Sequence, residues 1–132
     1  MEVRINRTMP QELLSLYKRC GRRRPNDRNL LRSLQGCSFM AGFYEEEELI
    51  AFTRVCSDGA MNFMVTDFLI DERFDNRETA LLLGKELENY LLMAVSCDGH
   101  IYALTDSRYE FVFRTFGYKY MDPDFRTVMV RD

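Results

Sequence analysis

Asp67 is the acidic side chain best placed for proton chemistry in this 132-residue chain. It lies inside a strand-like run, residues 61–70, where successive side chains alternate between two faces. Strict alternation puts it beside Val65 and Leu69. A carboxylate among apolar neighbours has its charged form disfavoured, which raises its pKa and suits it to accept a proton near neutrality. The position serves equally well for a structural carboxylate hydrogen-bonded to a neighbouring loop. His100 is the only histidine, and Cys20, Cys37, Cys56 and Cys97 lie far apart with no C-x-x-C pair. The cysteines read as small buried apolar residues rather than a disulfide framework, and they form no clustered set for zinc or another metal. A Ser-His or Cys-His dyad would have to rest on His100 alone.

The second chemical signal is charge. Of 18 basic and 21 acidic residues, residues 18–32 hold seven bases (Lys18, Arg19, Arg22, Arg23, Arg24, Arg28 and Arg32) against the single acid Asp27. The rest of the chain carries 11 bases and 20 acids. One basic patch on an acidic body can dock an anion, or can be a solvated helix-loop-helix face. The acidic remainder disfavours broad attraction to a nucleic acid.

These groups need a scaffold, and the composition supplies one. Hydrophobic residues make up 46% of the chain, including ten Phe and seven Tyr, enough for one packed core in one domain, residues 1–132. No apolar run approaches the roughly 20 residues that span a bilayer. Met1-Glu2-Val3-Arg4 leads into a strand with no apolar signal region, so the cytoplasm is the expected compartment. Residues 2–7 alternate as a short strand. Thr8 is placed to cap a helix whose first turn holds Pro10 and whose end is Gly21. A second helix is expected over residues 27–34, with Asp27 as its cap or as part of an acceptor-side loop. Residues 38–44 and 49–56 read as a hairpin across an acidic turn, followed by the strand 61–70. Residues 79–92 carry the clearest apolar stripe, Ala80, Leu83, Leu87 and Leu91. A strand at 101–104, a helix at 107–116 ending on Gly117, and a last antiparallel pair, 118–121 with 126–130, complete the chain. The order β-α-α-β-β-β-α-β-α-β-β predicts an α/β (α+β) fold, a mixed and mostly antiparallel sheet with helices on both faces.

That order and five short stretches resemble the GNAT superfamily of N-acetyltransferases, in particular small bacterial members. The stretches are Leu16-Tyr17-Lys18-Arg19-Cys20-Gly21, Arg24-Pro25-Asn26-Asp27, Leu49-Ile50-Ala51-Phe52-Thr53-Arg54, Met64 through Asp71, and Phe113-Arg114-Thr115-Phe116-Gly117-Tyr118. The resemblance implies acetyl-CoA in a V-shaped gap between the fourth and fifth strands. Its pantetheine arm would pair with backbone at Phe68, Leu69 and Ile70, and its pyrophosphate would lie at the following loop and helix N-terminus. It further implies an amine deprotonated by a carboxylate or water, with Asp67 as the candidate carboxylate, and a tyrosine that protonates the departing thiolate; strand-edge homodimers are common among such proteins, and the oligomeric state stays open.

The chain departs from the pattern where cofactor and acid are expected. The family's Q/R-x-x-G-x-G/A loop aligns with Asp75-Asn76-Arg77-Glu78-Thr79-Ala80, where only Ala80 fits. Glu78 adds bulk where glycine lets backbone approach a phosphate. A like-charge pair at about 5 Å with an effective dielectric near 20 costs about 3 kcal/mol. Arg73 and Arg77 offset part of that, and Glu78 could instead cap the helix. Phe113 stands where the family has its tyrosine, and Tyr109 lies one helical turn earlier. Two readings follow. One is an acyltransferase moving acetyl from acetyl-CoA to an amine, with Arg22, Arg23, Arg24, Asp27 and Arg28 facing an acidic small molecule or peptide. The other is a pseudoenzyme that binds a protein partner through the old cleft or the basic patch.

Overall fold

The computed structural model describes residues 1–132 and is built on one five-stranded sheet. Its strands, in spatial and chain order, are β1 (Glu2–Ile5), β2 (Phe39–Glu45), β3 (Glu48–Ser57), β4 (Asn62–Ile70) and β5 (His100–Ala103). All neighbours are antiparallel except β4 and β5, which run parallel and need a helical crossover. β2 and β3 are buried along almost their whole length, which requires cover on both faces. α1 (Pro10–Arg19) and α2 (Asp27–Gln35) cover one face, where Leu13, Leu16 and Leu30 pack on Phe52 and Leu69. The crossover helix α3 (Arg77–Ala94) and α4 (Glu110–Thr115) cover the other, packing Leu83, Leu87 and Phe113 against Phe43, Val65 and Phe68. The expected mixed sheet with helices on both faces is therefore present.

Helix ends follow local chemistry, with three corrections to the sequence reading. Gly21 (φ +70°) and Gly117 (φ +91°) take the left-handed conformation that terminates α1 and α4. Thr8 does not cap α1. It is buried, its Oγ1 accepts from Tyr44 Oη at 3.3 Å, and Met9 is the cap residue, its N–H bonded to Glu12 Oε1 at 2.8 Å. Asn26, not Asp27, caps α2 by accepting from the amides of Arg28 and Asn29. Likewise α3 begins two residues before the expected Thr79, capped by Asn76 rather than Glu78. An amide oxygen one or two residues upstream supplies the same acceptor as a carboxylate, so spacing alone does not choose between them.

The final strand pair does not form. Residues 118–132 hold no strand, although the turn at Asp122 is made. Phe125, Val128, Met129 and Val130 are 59–87% exposed, so this stretch has strand-forming residues but no face to bury. Arg126 Nη1 reaches Tyr102 Oη at 2.7 Å, and Tyr120 Oη reaches Glu110. The cysteines are also less buried than expected: Cys20, Cys37 and Cys56 are half-buried and Cys97 is exposed, all as free thiols. No helix is long and apolar enough to cross a membrane.

Candidate functional site

The sheet opens at β4. Its parallel ladder to β5 covers only Asn62–Val65, and the last bond runs from Leu104 N–H to Val65 O at 3.0 Å. A β-bulge at Thr66, where β3 pairs Arg54 with Asp67 but Val55 with Val65, reverses the alternation from there on. Beyond it Asp71 N–H bonds Ile50 O at 2.7 Å, so the odd-numbered residues face β3. The amides and carbonyls of Phe68 and Ile70 then point away from β3, to the side where β5 has left the sheet. Both residues are buried, at 1% and 3% exposure. The one group that reaches them is Cys20 Sγ, 3.5 Å from Ile70 O. Buried backbone donors and acceptors without partners are uncommon, and they mark an edge shaped for a polar ligand.

The bulge also corrects the expected surroundings of Asp67. Val65 faces α3, whereas Leu69 faces α1 and α2, as does Asp67. Asp67 is 6% exposed, and its neighbours are polar: Oδ2 accepts from Arg54 Nε at 2.6 Å and from Tyr17 Oη at 2.8 Å. Arg54 also donates from Nη1 to Ser33 Oγ at 2.6 Å. Burial, then the Asp67 charge, pushes the Tyr17 phenol well above its ordinary pKa, so it stays a donor. This triad floors a groove of about 420 Å³ whose rim includes Arg22 and Arg23. Arg22 bridges to Asp106, on the loop after β5, at 3.0 Å. Arg24 and Asp27 pair with each other at the exposed surface; both of them, and Arg28, lie outside the lining of the groove.

Past Ile70 the chain makes a short 3₁₀ turn, Glu72–Phe74, held by Asp71. Asp71 is 2% exposed and accepts from Arg73 and from Arg19 Nε, the latter at 2.6 Å. At the start of α3, Asn76 Oδ1 takes the Thr79 amide at 2.9 Å, and the amides of Arg77 and Glu78 are left open. An 18-residue helix presents partial positive charge there. Thr79 and Ala80 are buried beneath this turn, while Glu78 is exposed and unpaired. Asp75 points back across the gap: its Oδ2 accepts from Tyr109 Oη at 3.0 Å and lies 3.4 Å from Arg108 Nη1. Burial, then the hydrogen bond to Asp75, raises the Tyr109 pKa well above its ordinary value. Tyr109 precedes α4 in a 3₁₀ turn, and its ring and that of Phe113 pack on Phe68 with centroids 5.1 and 5.3 Å away. Beside this, Leu81, Leu82, Lys85 and Phe116 join Arg77 and Glu78 in lining a groove of about 570 Å³ between α3 and α4.

Most residues singled out in the sequence thus fall into three adjacent places, the backbone of Phe68 and Ile70, the α3 N-terminus with Asp75 and Tyr109, and the basic groove around Asp67, whereas Arg24, Asp27 and Arg28 lie outside all three. Arg54 and Tyr17, which hold Asp67, lie within stretches that carry the family resemblance, but their types and spacing give them no role in the sequence. A charged residue inside the apolar run 49–56 was the available signal for Arg54. The groove between α3 and α4 had no signal, because its apolar residues read as core.

No protein-family model matches the chain, and none of the curated proteins does. Solved structures do. A protein of unknown function from meticillin-resistant Staphylococcus aureus, described as a probable acetyltransferase, aligns with a TM-score of 0.85 at 16% identity, covering 99% of this chain and 100% of that one. A GNAT-family acetyltransferase from Streptococcus pneumoniae TIGR4 aligns at 0.76 with 14% identity, covering 99% and 98%. A predicted acetyltransferase from Clostridium acetobutylicum, solved with acetyl-CoA, aligns at 0.71 with 15% identity, covering 98% and 95%. At such identities the likeness shows the fold.

Proposed function

We propose that this GNAT-fold chain binds an acyl-CoA in the gap beside β4 and acts as an N-acetyltransferase toward an amine. The observation that carries the reading is the outward-turned backbone of Phe68 and Ile70, reached only by Cys20 Sγ at the Ile70 carbonyl and buried where β5 leaves the sheet, a short distance along the chain from the open amides of α3. When bound, acyl-CoA supplies an acyl group activated as a thioester. The chain's own contributions are binding and orientation. Phe68 and Ile70 offer strand-like hydrogen bonds to an extended amide-bearing arm. The amides of Arg77 and Glu78 and the helix dipole receive phosphate oxygens, and Arg77 adds a positive charge. The amine enters from the opposite side, through the groove around Asp67. Asp67 holds Arg54 and Tyr17 in place there, as a positioning carboxylate.

Calorimetric titration with acetyl-CoA tests this. A dissociation constant in roughly the micromolar range supports the reading, and absence of heat at millimolar ligand overturns it. A second reading has its own support. Each candidate proton carrier is engaged or lacks a proton: Asp67 by Arg54 and Tyr17, Tyr109 by Asp75, and Phe113 by its chemistry. Acetyl-CoA binding without release of CoA across a panel of amines selects this non-catalytic binding protein.

A further inference from the structure

The groove around Asp67 has a chemistry of its own. Among its lining residues are three guanidinium groups, Arg22, Arg23 and Arg54, and one carboxylate, Asp67. Arg54 is held almost rigidly, with its side chain 12% exposed, Nε on Asp67 and Nη1 on Ser33. Its third nitrogen, Nη2, makes no hydrogen bond to the protein, and it is not sealed from solvent. Arg23 is exposed at the rim and enters no ion pair, unlike Arg22 and Arg24 beside it. A pre-oriented guanidinium edge below and an uncommitted one above form a two-sided receptor for a small oxyanion. The volume, about 420 Å³, suits a small molecule rather than a folded partner.

We propose that the acceptor is a small primary amine carrying an anionic group, carboxylate or phosphate, held between Arg23 and Arg54 Nη2. This rests on the acyl-CoA reading for the amine end, since Asp67 precedes Phe68 in β4 and the groove adjoins the gap on the α1 and α2 side. The anion end stands on the groove alone. Asp67 pairs with Arg54 and Asp106 with Arg22, so of the three guanidinium groups Arg23 keeps a positive charge that a neutral amine would leave unmatched.

The test is calorimetry of the whole chain with three amines of similar length: O-phosphoethanolamine, β-alanine and ethanolamine. At least one of the two anionic amines is expected to bind, and ethanolamine is not. Arg23→Ala, at an exposed and unpaired position, is expected to weaken that binding by about tenfold while leaving the thermal midpoint unchanged. Binding of O-phosphoethanolamine alone assigns the site to phosphate, and binding of β-alanine alone to carboxylate. Anionic amines that bind no better than ethanolamine, or that bind Arg23→Ala unchanged, overturn the proposal. Acetyl-CoA is titrated separately. If it binds and the anionic amines do not, only the proposed anion site fails. If the anionic amines bind and acetyl-CoA does not, only the acyl-CoA reading fails.

Discussion

Asp71 ties the loop ahead of α3 to α1, and its titration gives this tie a pH dependence. Hydrogen bonds from Arg73, with help from Arg19, hold its carboxyl far below the usual carboxylate range. A carboxyl depressed in the folded state contributes stability that is fully present above its unfolded pKa, about 3.9, and is lost as pH falls through the lower folded value. Urea midpoints measured at about pH 5 and pH 2.5 should therefore fall more for the natural chain than for Asp71→Asn. Equal falls would mean that the clamp is not energetic. Phe113 poses a chemical question instead. Phe113→Tyr places a phenol between Phe68 and Tyr118, rings 5.3 and 5.1 Å away. If the gap is the acyl site, CoA release should rise by about tenfold or more, whereas unchanged release would place Phe113 away from the reacting atoms. That Phe113 stands where the family resemblance expects a tyrosine was legible in the sequence. The pairing of Asp67 was not, because its partners sit 13 and 50 residues away.

At the level of strands and helices, periodicity located nearly every element and failed where geometry departs from the ideal. One bulged residue, Thr66, moved Val65 to the opposite face from Leu69 and turned the backbone of Phe68 and Ile70 outward. A bulge has no compositional mark here, so the site's main feature could be reached only through the family resemblance. The start of α3 was displaced for a milder reason, since Asn76 and Glu78 are both acceptable near a helix N-terminus. What remains at that turn is an exposed, unpaired carboxylate beside two open amides. Glu78→Gln should tighten acetyl-CoA binding about three- to tenfold, less than the full Coulomb estimate because water screens the site. The ratio of dissociation constants reads it directly, and a ratio near one would show that Glu78 does not face the phosphates.

For the chain as a whole, the order of strand-like and helical segments was enough to give a mixed sheet covered on both faces, and strand-like composition overreached at the C-terminus. Residues 126–130 have the composition of a strand, yet Met129 is 87% exposed and Val130 78%. Strand propensity is expressed only when a face is buried, and β5, four residues long, offers little to build on. Removing residues 122–132 should lower stability by less than about 1 kcal/mol, as judged by urea denaturation. A larger loss would mean that the tail belongs to the core. The central claim concerns the two amides left over where β4 parts from β5, and residue-resolved hydrogen exchange by NMR addresses them most directly. With acetyl-CoA added, exchange at Phe68 and Ile70 should slow markedly while Val65, already in the ladder, stays as it was. Unchanged exchange at both, under saturating acetyl-CoA, would contradict the account.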